Sequence, residues 1–141
     1  MKVLFDTNVL ISYLLTSEVE GTIATIIERG FAGDYDFIVP DEVITELRRK
    51  LTEKAWLAGR IPQSTAEKFI TALRAVAIIP PPITEPIPEV GRDVKDDYLF
   101  AYGTVAGCDY LVSGDPGVLV VEKIRHLRIV SPAAFLKILN S

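Results

Sequence analysis

The chain has 141 residues and a mass of 15.5 kDa, a length that favours a single domain over residues 1–141. Apolar residues make up 49% and charged residues 24%, an ordinary globular balance that excludes general disorder. Mean hydropathy is +0.30, yet no apolar run approaches the ~20 residues that span a bilayer. Asp6 interrupts the N-terminal apolar run too early for a signal peptide, and a lone cysteine, Cys108, excludes an intrachain disulfide. We therefore expect a cytoplasmic protein with no membrane partner.

The charge balance is acidic, with 15 Lys and Arg against 19 Asp and Glu, a net charge of -4 and a sequence pI near 5.0. Proteins that bind nucleic acid through a broad surface usually present a basic face. The composition therefore excludes a generic basic platform, and the positions of the acids become the informative feature.

The first third of the chain predicts two strands, each linked to helices. Residues 2–5 form a β-rich apolar run that ends at Asp6, and residues 36–40 form a second run that ends at a proline. Between them, Ser17 with Glu20 three residues later matches a capping box and predicts the start of a second helix. The helix before it carries its apolar side chains at helical spacing, at Val9, Leu10, Tyr13 and Leu14.

The middle of the chain predicts two helices, a strand and a stiff loop. Residues 41–58 carry apolar side chains at helical spacing and predict the longest helix. Ser64 with Glu67 repeats the capping-box pattern, and residues 76–79 fit a strand. Residues 80–91 hold five of the nine prolines and predict a surface loop, because proline lacks the backbone donor.

The last third predicts a helix over 96–106, strands over 109–113 and 128–130, and a terminal helix capped by Ser131 with Pro132 at its first position. Strands that are nearly unbroken apolar runs and alternate with helices are typical of a parallel sheet covered on both faces. We predict an α/β fold with three α/β/α layers around a mainly parallel sheet of four to five strands.

Acidic residues follow two of the predicted strands and precede one predicted helix. Asp6 and Asp115 come at strand ends, while Asp93, Asp96 and Asp97 lie before the helix that returns to the 109–113 strand. In open parallel sheets, ligands bind outside the carboxyl ends of the strands, and this topology brings these acids to that edge. Taken singly, each acid is explained as well by a turn or a helix cap.

A cluster of such carboxylates destabilises the fold unless its members are protonated or hold cations. Two carboxylates ~4 Å apart repel by about 4 kcal/mol at an effective dielectric of 20. Hard oxygen donors without a histidine or cysteine pattern select Mg²⁺ or Mn²⁺ over zinc. One or two such ions can activate water and support displacement at phosphorus.

The ordered motifs resemble the PIN domain, and more narrowly the VapC-like toxins of prokaryotic toxin–antitoxin systems. The resemblance covers nearly the whole chain and rests on the following segments: Asp6-Thr7-Asn8, Glu46 on a helix, Arg92 to Asp97, Val112 to Asp115, and Ser131 to Leu136. It implies a metal-dependent endoribonuclease with RNA as substrate, a cognate antitoxin as partner, and a homodimer.

The resemblance also implies a set of site residues. The metal-binding and catalytic acids would be Asp6, Glu46, Asp97 and Asp115, with support from Thr7, Asn8, Asp96 and Ser113. Asp97 is preferred to Asp96 because it lies 18 residues before Asp115, as in similar sequences. Glu46 lies ~60° from the buried stripe of its helix, which suits a half-buried ligand. Many similar sequences carry another acid two positions after the last Asp, where this chain has Gly117. The second metal position therefore lacks one of its expected ligands.

Basic side chains follow Glu46 and allow two interpretations. Arg48, Arg49 and Lys54, together with Lys50, either contact RNA phosphates beside the site or form ion pairs such as that with Glu53 on a solvated helix face. His126, the only histidine, is better explained as a surface residue than as a general base. Trp56 and Tyr13 either pack in the core, the default for aromatics, or lie at a dimer surface.

Two other functions compete with the nuclease. A haloacid-dehalogenase-like phosphatase would use Asp6 as a nucleophile, but it needs a second Asp two residues later, where this chain has Asn8. A PIN-like module without strong catalysis would bind protein or RNA while its acids hold metal weakly or not at all.

Overall fold

The structure is a computed structural model that describes residues 1–16, 21–90 and 96–141. Its five strands are β1 (Lys2–Phe5), β2 (Asp36–Ile38), β3 (Tyr110–Val112), β4 (Lys123–Ile124) and β5 (Leu127–Val130). The helices of the described residues are α1 (Thr7–Leu15), α2 (Thr22–Phe31), α3 (Asp41–Glu53), α4 (Ala55–Arg60), α5 (Gln63–Val76), α6 (Asp97–Val105), α7 (Pro116–Leu119) and α8 (Pro132–Leu139). The predicted capping box of Ser17 and Glu20, and Asp93, lie outside the described residues.

The sheet confirms the predicted fold class. Its order is β2-β1-β3-β5-β4, and every pairing is parallel except that between β4 and β5. Helices on both faces make three α/β/α layers. α6 packs against β1, β3 and β5, and α8 places Phe135 edge-on against Phe5 at a centroid distance of 6.1 Å. The parallel register of β1 and β3 brings the residues that follow Phe5 and Val112 side by side.

The helix predicted over 41–58 is wrong in its extent, because the helical backbone is interrupted at Lys54. Its backbone is extended there, with φ -89° and ψ 104°, and α4 starts afresh at Ala55. Leu51 and Leu57 are both buried, yet six residues of uninterrupted helix would point them to different sides. The break lets both side chains enter the core.

Two further predictions need correction, and one short strand was missed. Ser64 does not cap α5: the helix begins at Gln63 behind Pro62, and no side chain makes a capping bond there. The strand predicted over 76–79 is reduced to one bridge between Ile78 and Ile38, because α5 continues to Val76 and Pro80 cannot extend the pairing. The two-residue strand β4 was not predicted, since it is too short to leave an alternating pattern.

Other predictions hold where the local signal is strong. Ser131 caps α8 by accepting a hydrogen bond from the Ala134 amide at 3.1 Å. Residues 80–90 form a loop without helix or strand, anchored where the Ile83 amide donates to the Tyr102 hydroxyl at 3.0 Å. Cys108 is buried, and burial raises the pKa of its thiol to about 12.

Candidate active site

Asp6 lies at the point where β1 ends and α1 begins. Its amide still belongs to the sheet, since it donates to the Val112 carbonyl at 2.9 Å. Its side chain is 3% exposed and caps α1, because Oδ1 accepts a hydrogen bond from the Asn8 amide at 3.3 Å. Oδ2 accepts from the Ser113 hydroxyl at 2.8 Å. A buried carboxylate therefore lies at the carboxyl edge of the sheet with both oxygens in hydrogen bonds.

Ser113 joins Asp6 to Asp115. Its fully buried hydroxyl donates to Asp6 and accepts a hydrogen bond from the Asp115 amide at 3.0 Å. The Asp115 carboxylate is half-buried and caps α7 by accepting from the Gly117 amide at 2.9 Å. The carboxyl ends of the neighbouring parallel strands β1 and β3 thus carry one hydrogen-bonded group of side chains.

Glu46 reaches the same group from α3. Its side chain is 18% exposed, and its Oε2 accepts hydrogen bonds from the Thr7 hydroxyl, at 3.0 Å, and from the Tyr98 hydroxyl. Its Oε1 lies 3.2 Å from the Lys50 ammonium, one helical turn along α3. Thr7 directly follows Asp6 in the chain, so its hydrogen bond to Glu46 connects the Asp6 and Glu46 side chains through a single residue.

Asp97 and Asp96 lie at the start of α6. Asp97 is 3% exposed, and its Oδ1 accepts a hydrogen bond from the Val90 amide at 3.1 Å, which fixes the end of the proline-rich loop. Asp96 is the half-buried N-cap residue of α6, and its side chain makes no capping bond. The contact between Tyr98 and Glu46 places this end of α6 beside α3.

The pKa values of the Asp6 and Glu46 carboxylates are shifted in opposite directions. Burial raises the pKa of Asp6; the hydrogen bonds from Ser113 and Asn8 and the charge of Lys50 act against it without cancelling it, and the charge of Glu46 adds to it. Burial also acts to raise the pKa of Glu46. The Tyr98 hydrogen bond, the Lys50 ammonium and the Thr7 hydrogen bond outweigh burial there and lower it.

The donor set suits a hard divalent ion in its chemistry and charge. Carboxylate and hydroxyl oxygens surround Asp6 and Glu46, and a cation, the Lys50 ammonium, already neutralises part of their charge. In residues 1–16, 21–90 and 96–141, however, no three or more His, Cys, Asp or Glu side chains are grouped so as to hold a metal ion. The acids are held by hydroxyls, amides and one lysine.

Two open cavities flank the carboxylates. One of about 480 Å³ includes Glu46, Tyr98 and Arg49 in its lining, and another of about 330 Å³ includes Asn8 and Asp115. Glu46 and Asp115 are therefore each reached from solvent, whereas Asp6 and Asp97 are buried.

The basic residues after Glu46 point in several directions. Arg48 forms a two-bond ion pair with Glu67 of α5, and Arg49 pairs with Glu53, as in the ion-pair interpretation. Arg49 also lines the cavity at Glu46, whereas Arg48 lines a separate cavity with Glu67. Lys54 is exposed at the break between α3 and α4.

Sequence reasoning missed the roles of Tyr98 and Lys50 in this group. The signal for Lys50 is its position four residues after Glu46 on one helix, a spacing that brings side chains together. Tyr98 carries a weaker signal, since it only follows a predicted site acid. His126 is exposed in the turn between β4 and β5, away from the carboxyl edge of the sheet.

Comparison with known proteins decides the family. The family model described as the PIN domain matches residues 2–116, most of the chain. The chain belongs to the PIN domain family. PIN domains are generally nucleases, and this PIN domain carries its acids where β1 and β3 end. Searches of the curated proteins and of the solved structures find no match. No helix within the described part of this PIN domain has the length and apolar character to cross a membrane.

Proposed function

We propose that this PIN domain is a Mg²⁺- or Mn²⁺-dependent endoribonuclease and the VapC-like toxin of a type II toxin–antitoxin pair. The observation that carries the proposal is the joined group of Asp6, Glu46 and Asp115 at the carboxyl edge of the sheet. Burial raises the pKa of Asp6, so its charge opposes folding, and such perturbed carboxylates are typical of sites that serve chemistry.

Asp6, Glu46, Asp97 and Asp115 would hold one or two ions. A bound divalent ion would supply an activated water and would stabilise the negative charge that develops at phosphorus. The chain's other residues orient the acids: Ser113 fixes one oxygen of Asp6, and Thr7 with Tyr98 fixes one oxygen of Glu46. The other Glu46 oxygen lies 3.2 Å from the Lys50 ammonium.

The cavity beside Glu46 is where an RNA phosphate would enter. Its volume of about 480 Å³ admits a nucleotide, and Arg49 in its lining would exchange Glu53 for a phosphate oxygen. Lys54, exposed at the end of α3, would contact the backbone farther along. Arg48 is the least suited of the predicted contacts, because its guanidinium already donates two hydrogen bonds to the Glu67 carboxylate.

The direct test is cleavage of structured and single-stranded RNA with Mn²⁺, with and without a chelator. We expect wild-type cleavage that the chelator abolishes and that Asp6→Asn lowers by at least about a hundredfold. Asp36→Asn is the matched control, because Asp36 is exposed at the amino end of β2. Equal cleavage by wild type and Asp6→Asn would refute the site.

The second candidate is a PIN-like module without strong catalysis. One observation favours it: Lys50 already neutralises Glu46, and the described residues include no cluster of three ligands. Calorimetry at millimolar Mg²⁺ or Mn²⁺ separates the two, since absent binding together with absent cleavage would favour the module.

The antitoxin and the homodimer are proposed from the family likeness. On the dimer, the structure offers one relevant fact: Trp56 on α4 is 55% exposed, with the Arg60 guanidinium 5.7 Å from its ring centroid, whereas Tyr13 packs on Phe69. We expect a short neighbouring gene encoding a DNA-binding antitoxin, and growth arrest on expression that its co-expression relieves. Growth arrest by Asp6→Asn at the same protein level would contradict a nuclease toxin.

A further inference from the structure

Lys50 occupies an unusual position for a lysine on a helix surface. Its ammonium lies 3.2 Å from Glu46 Oε1 and 3.1 Å from Asn8 Oδ1, so it links α3 to the first turn of α1. Its side chain is only 17% exposed and that of Glu46 18%. The Arg49–Glu53 pair on the same helix has the same spacing, but its side chains are 54% and 62% exposed. Exposed pairs contribute little, whereas this one is withdrawn from water.

The Lys50 charge acts on both neighbouring acids. Its ammonium contacts Glu46 Oε1 directly, and it also contacts the side-chain oxygen of Asn8, the residue whose amide donates to Asp6 Oδ1. Other contacts to these carboxylates come from the neutral hydroxyls and amides of Thr7, Asn8, Tyr98 and Ser113, which carry no net charge. Among the residues that the structure describes, Lys50 therefore places a positive charge directly beside Glu46.

We propose that Lys50 is the internal counter-ion of the metal-free site and must withdraw before a divalent ion can bind Glu46 and Asp6. This inference rests on the proposed function, because it concerns the same acids. A divalent cation and an ammonium cannot share Glu46 without strong repulsion. The four-carbon stem of lysine and its single-point charge allow it to swing into the adjoining solvent, which a two-bond arginine pair such as Arg48–Glu67 resists.

Two consequences follow from this role. In the metal-free protein Lys50 stabilises the fold, because it compensates half-buried carboxylates. Lys50 also competes with a divalent ion for Glu46, so it weakens the affinity of the site for that ion. A residue that merely stabilises α3 would do the first and not the second.

The experiment compares Mn²⁺ binding by calorimetry and thermal unfolding in EDTA for wild type, Lys50→Met, Lys50→Arg and Lys68→Met. Lys68 is the matched control, an exposed helical lysine on α5. We expect Lys50→Met to bind Mn²⁺ about tenfold or more tightly, since one charge at ~4–6 Å changes the proton affinity of a carboxylate by that much or more. We also expect it to melt at a lower temperature in EDTA. Lys50→Arg should bind Mn²⁺ more weakly than wild type, because an arginine pair resists withdrawal, whereas Lys68→Met should bind Mn²⁺ like wild type.

Several results would overturn the inference. Lys50→Met that binds Mn²⁺ as wild type does, or more weakly, would show that Lys50 does not compete with metal. Unchanged affinity with lost RNA cleavage would identify Lys50 as a phosphate contact instead. If wild type cleaves RNA with Mn²⁺ but Lys50→Met binds no more tightly, this inference alone fails. If no variant binds Mn²⁺ and none cleaves RNA, the proposed nuclease fails as well.

Discussion

Asp6 is the residue at which stability and chemistry conflict most. Its carboxylate is 3% exposed, and burial raises its pKa even though two hydrogen bonds and Lys50 favour the charged form. Ionisation therefore opposes folding as long as no ion neutralises the group. Residues of this kind are typical of active sites, where a cost in stability is retained for function.

Asp6→Asn should raise the melting temperature of the metal-free protein by a few degrees at neutral pH, because it removes the buried charge and keeps an oxygen to cap α1. The folded pKa of Asp6 lies above the unfolded value, so the stability gained from its protonated form is present below the unfolded pKa and lost as pH rises through the folded pKa. The advantage of Asp6→Asn should shrink as the pH falls.

Thermal unfolding in EDTA from neutral to acidic pH measures this difference, with Asp36→Asn as the control. A melting temperature below that of wild type at neutral pH would show that the carboxylate stabilises the fold, contrary to the direction of its pKa.

At the scale of the elements, two serines that look alike in sequence differ in structure. Ser131 and Ser64 both precede apolar helical patterns, but only Ser131 accepts a hydrogen bond from a helix amide. Ser64 lies inside α5, which begins behind Pro62, and Glu67 turns to Arg48 instead of completing the predicted box.

Ser131→Ala should therefore lower the free energy of unfolding by about 1 kcal/mol, the usual contribution of a lost N-cap. Ser64→Ala should change it by less than about 0.5 kcal/mol, as for an ordinary surface substitution. Denaturant unfolding of both variants measures the difference. Equal effects would mean that the cap contributes nothing to α8.

Gly30 in α2 tests the packing of that helix on the sheet. A Cβ there would lie 2.4 Å from Phe37 Cζ and 2.6 Å from the Tyr35 hydroxyl, and both rings are fixed by aromatic neighbours. Gly30→Ala should destabilise by about 1–3 kcal/mol, because overpacking exceeds the gain in helix propensity. Gly59→Ala in α4, where a Cβ meets nothing within 4 Å, should be neutral or stabilising by up to about 1 kcal/mol. Similar values for both would contradict the close approach of α2.

The helices and strands also show which parts of the structure the sequence could predict. Buried strands, the Ser131 cap and the proline-rich loop were predictable, because each depends on a few adjacent residues. The break at Lys54 was not, since it depends on where Leu57 must go in the core. The strand bonds of β4 and the hydrogen bonds of Tyr98 were not predictable either. Two residues are too few to leave a strand pattern at β4, and the Tyr98 hydrogen bond depends on Glu46, which lies far away in the chain.

For the whole molecule, metal binding by the proposed acids would couple the stability of the fold to the ion concentration. An ion that binds only the folded state stabilises it by RT ln(1 + [L]/Kd), about 2.7 kcal/mol at a hundred times Kd. The net charge of -4 equals the number of proposed ligand carboxylates, so bound ions would also relieve the excess charge of the whole chain.

We expect one cooperative unfolding transition for residues 1–141, as for a single domain, and a midpoint that rises with Mn²⁺ and returns with EDTA. The variant Asp6→Asn, Asp115→Asn should show the transition without the rise. Calorimetric scans at several Mn²⁺ concentrations test both points. Two separate transitions would contradict the single domain, and an equal rise in the variant would place the ion elsewhere.

The capping bonds of Asp6 and Asp115 have an evolutionary consequence. Each aspartate begins a helix, α1 or α7, through its own side chain. A descendant that had abandoned cleavage would still be under selection to keep a short oxygen-bearing side chain at both positions. The persistence of these aspartates among homologues therefore does not by itself testify to catalysis, whereas replacement by asparagine or serine would mark a lineage that retained the architecture and gave up the reaction.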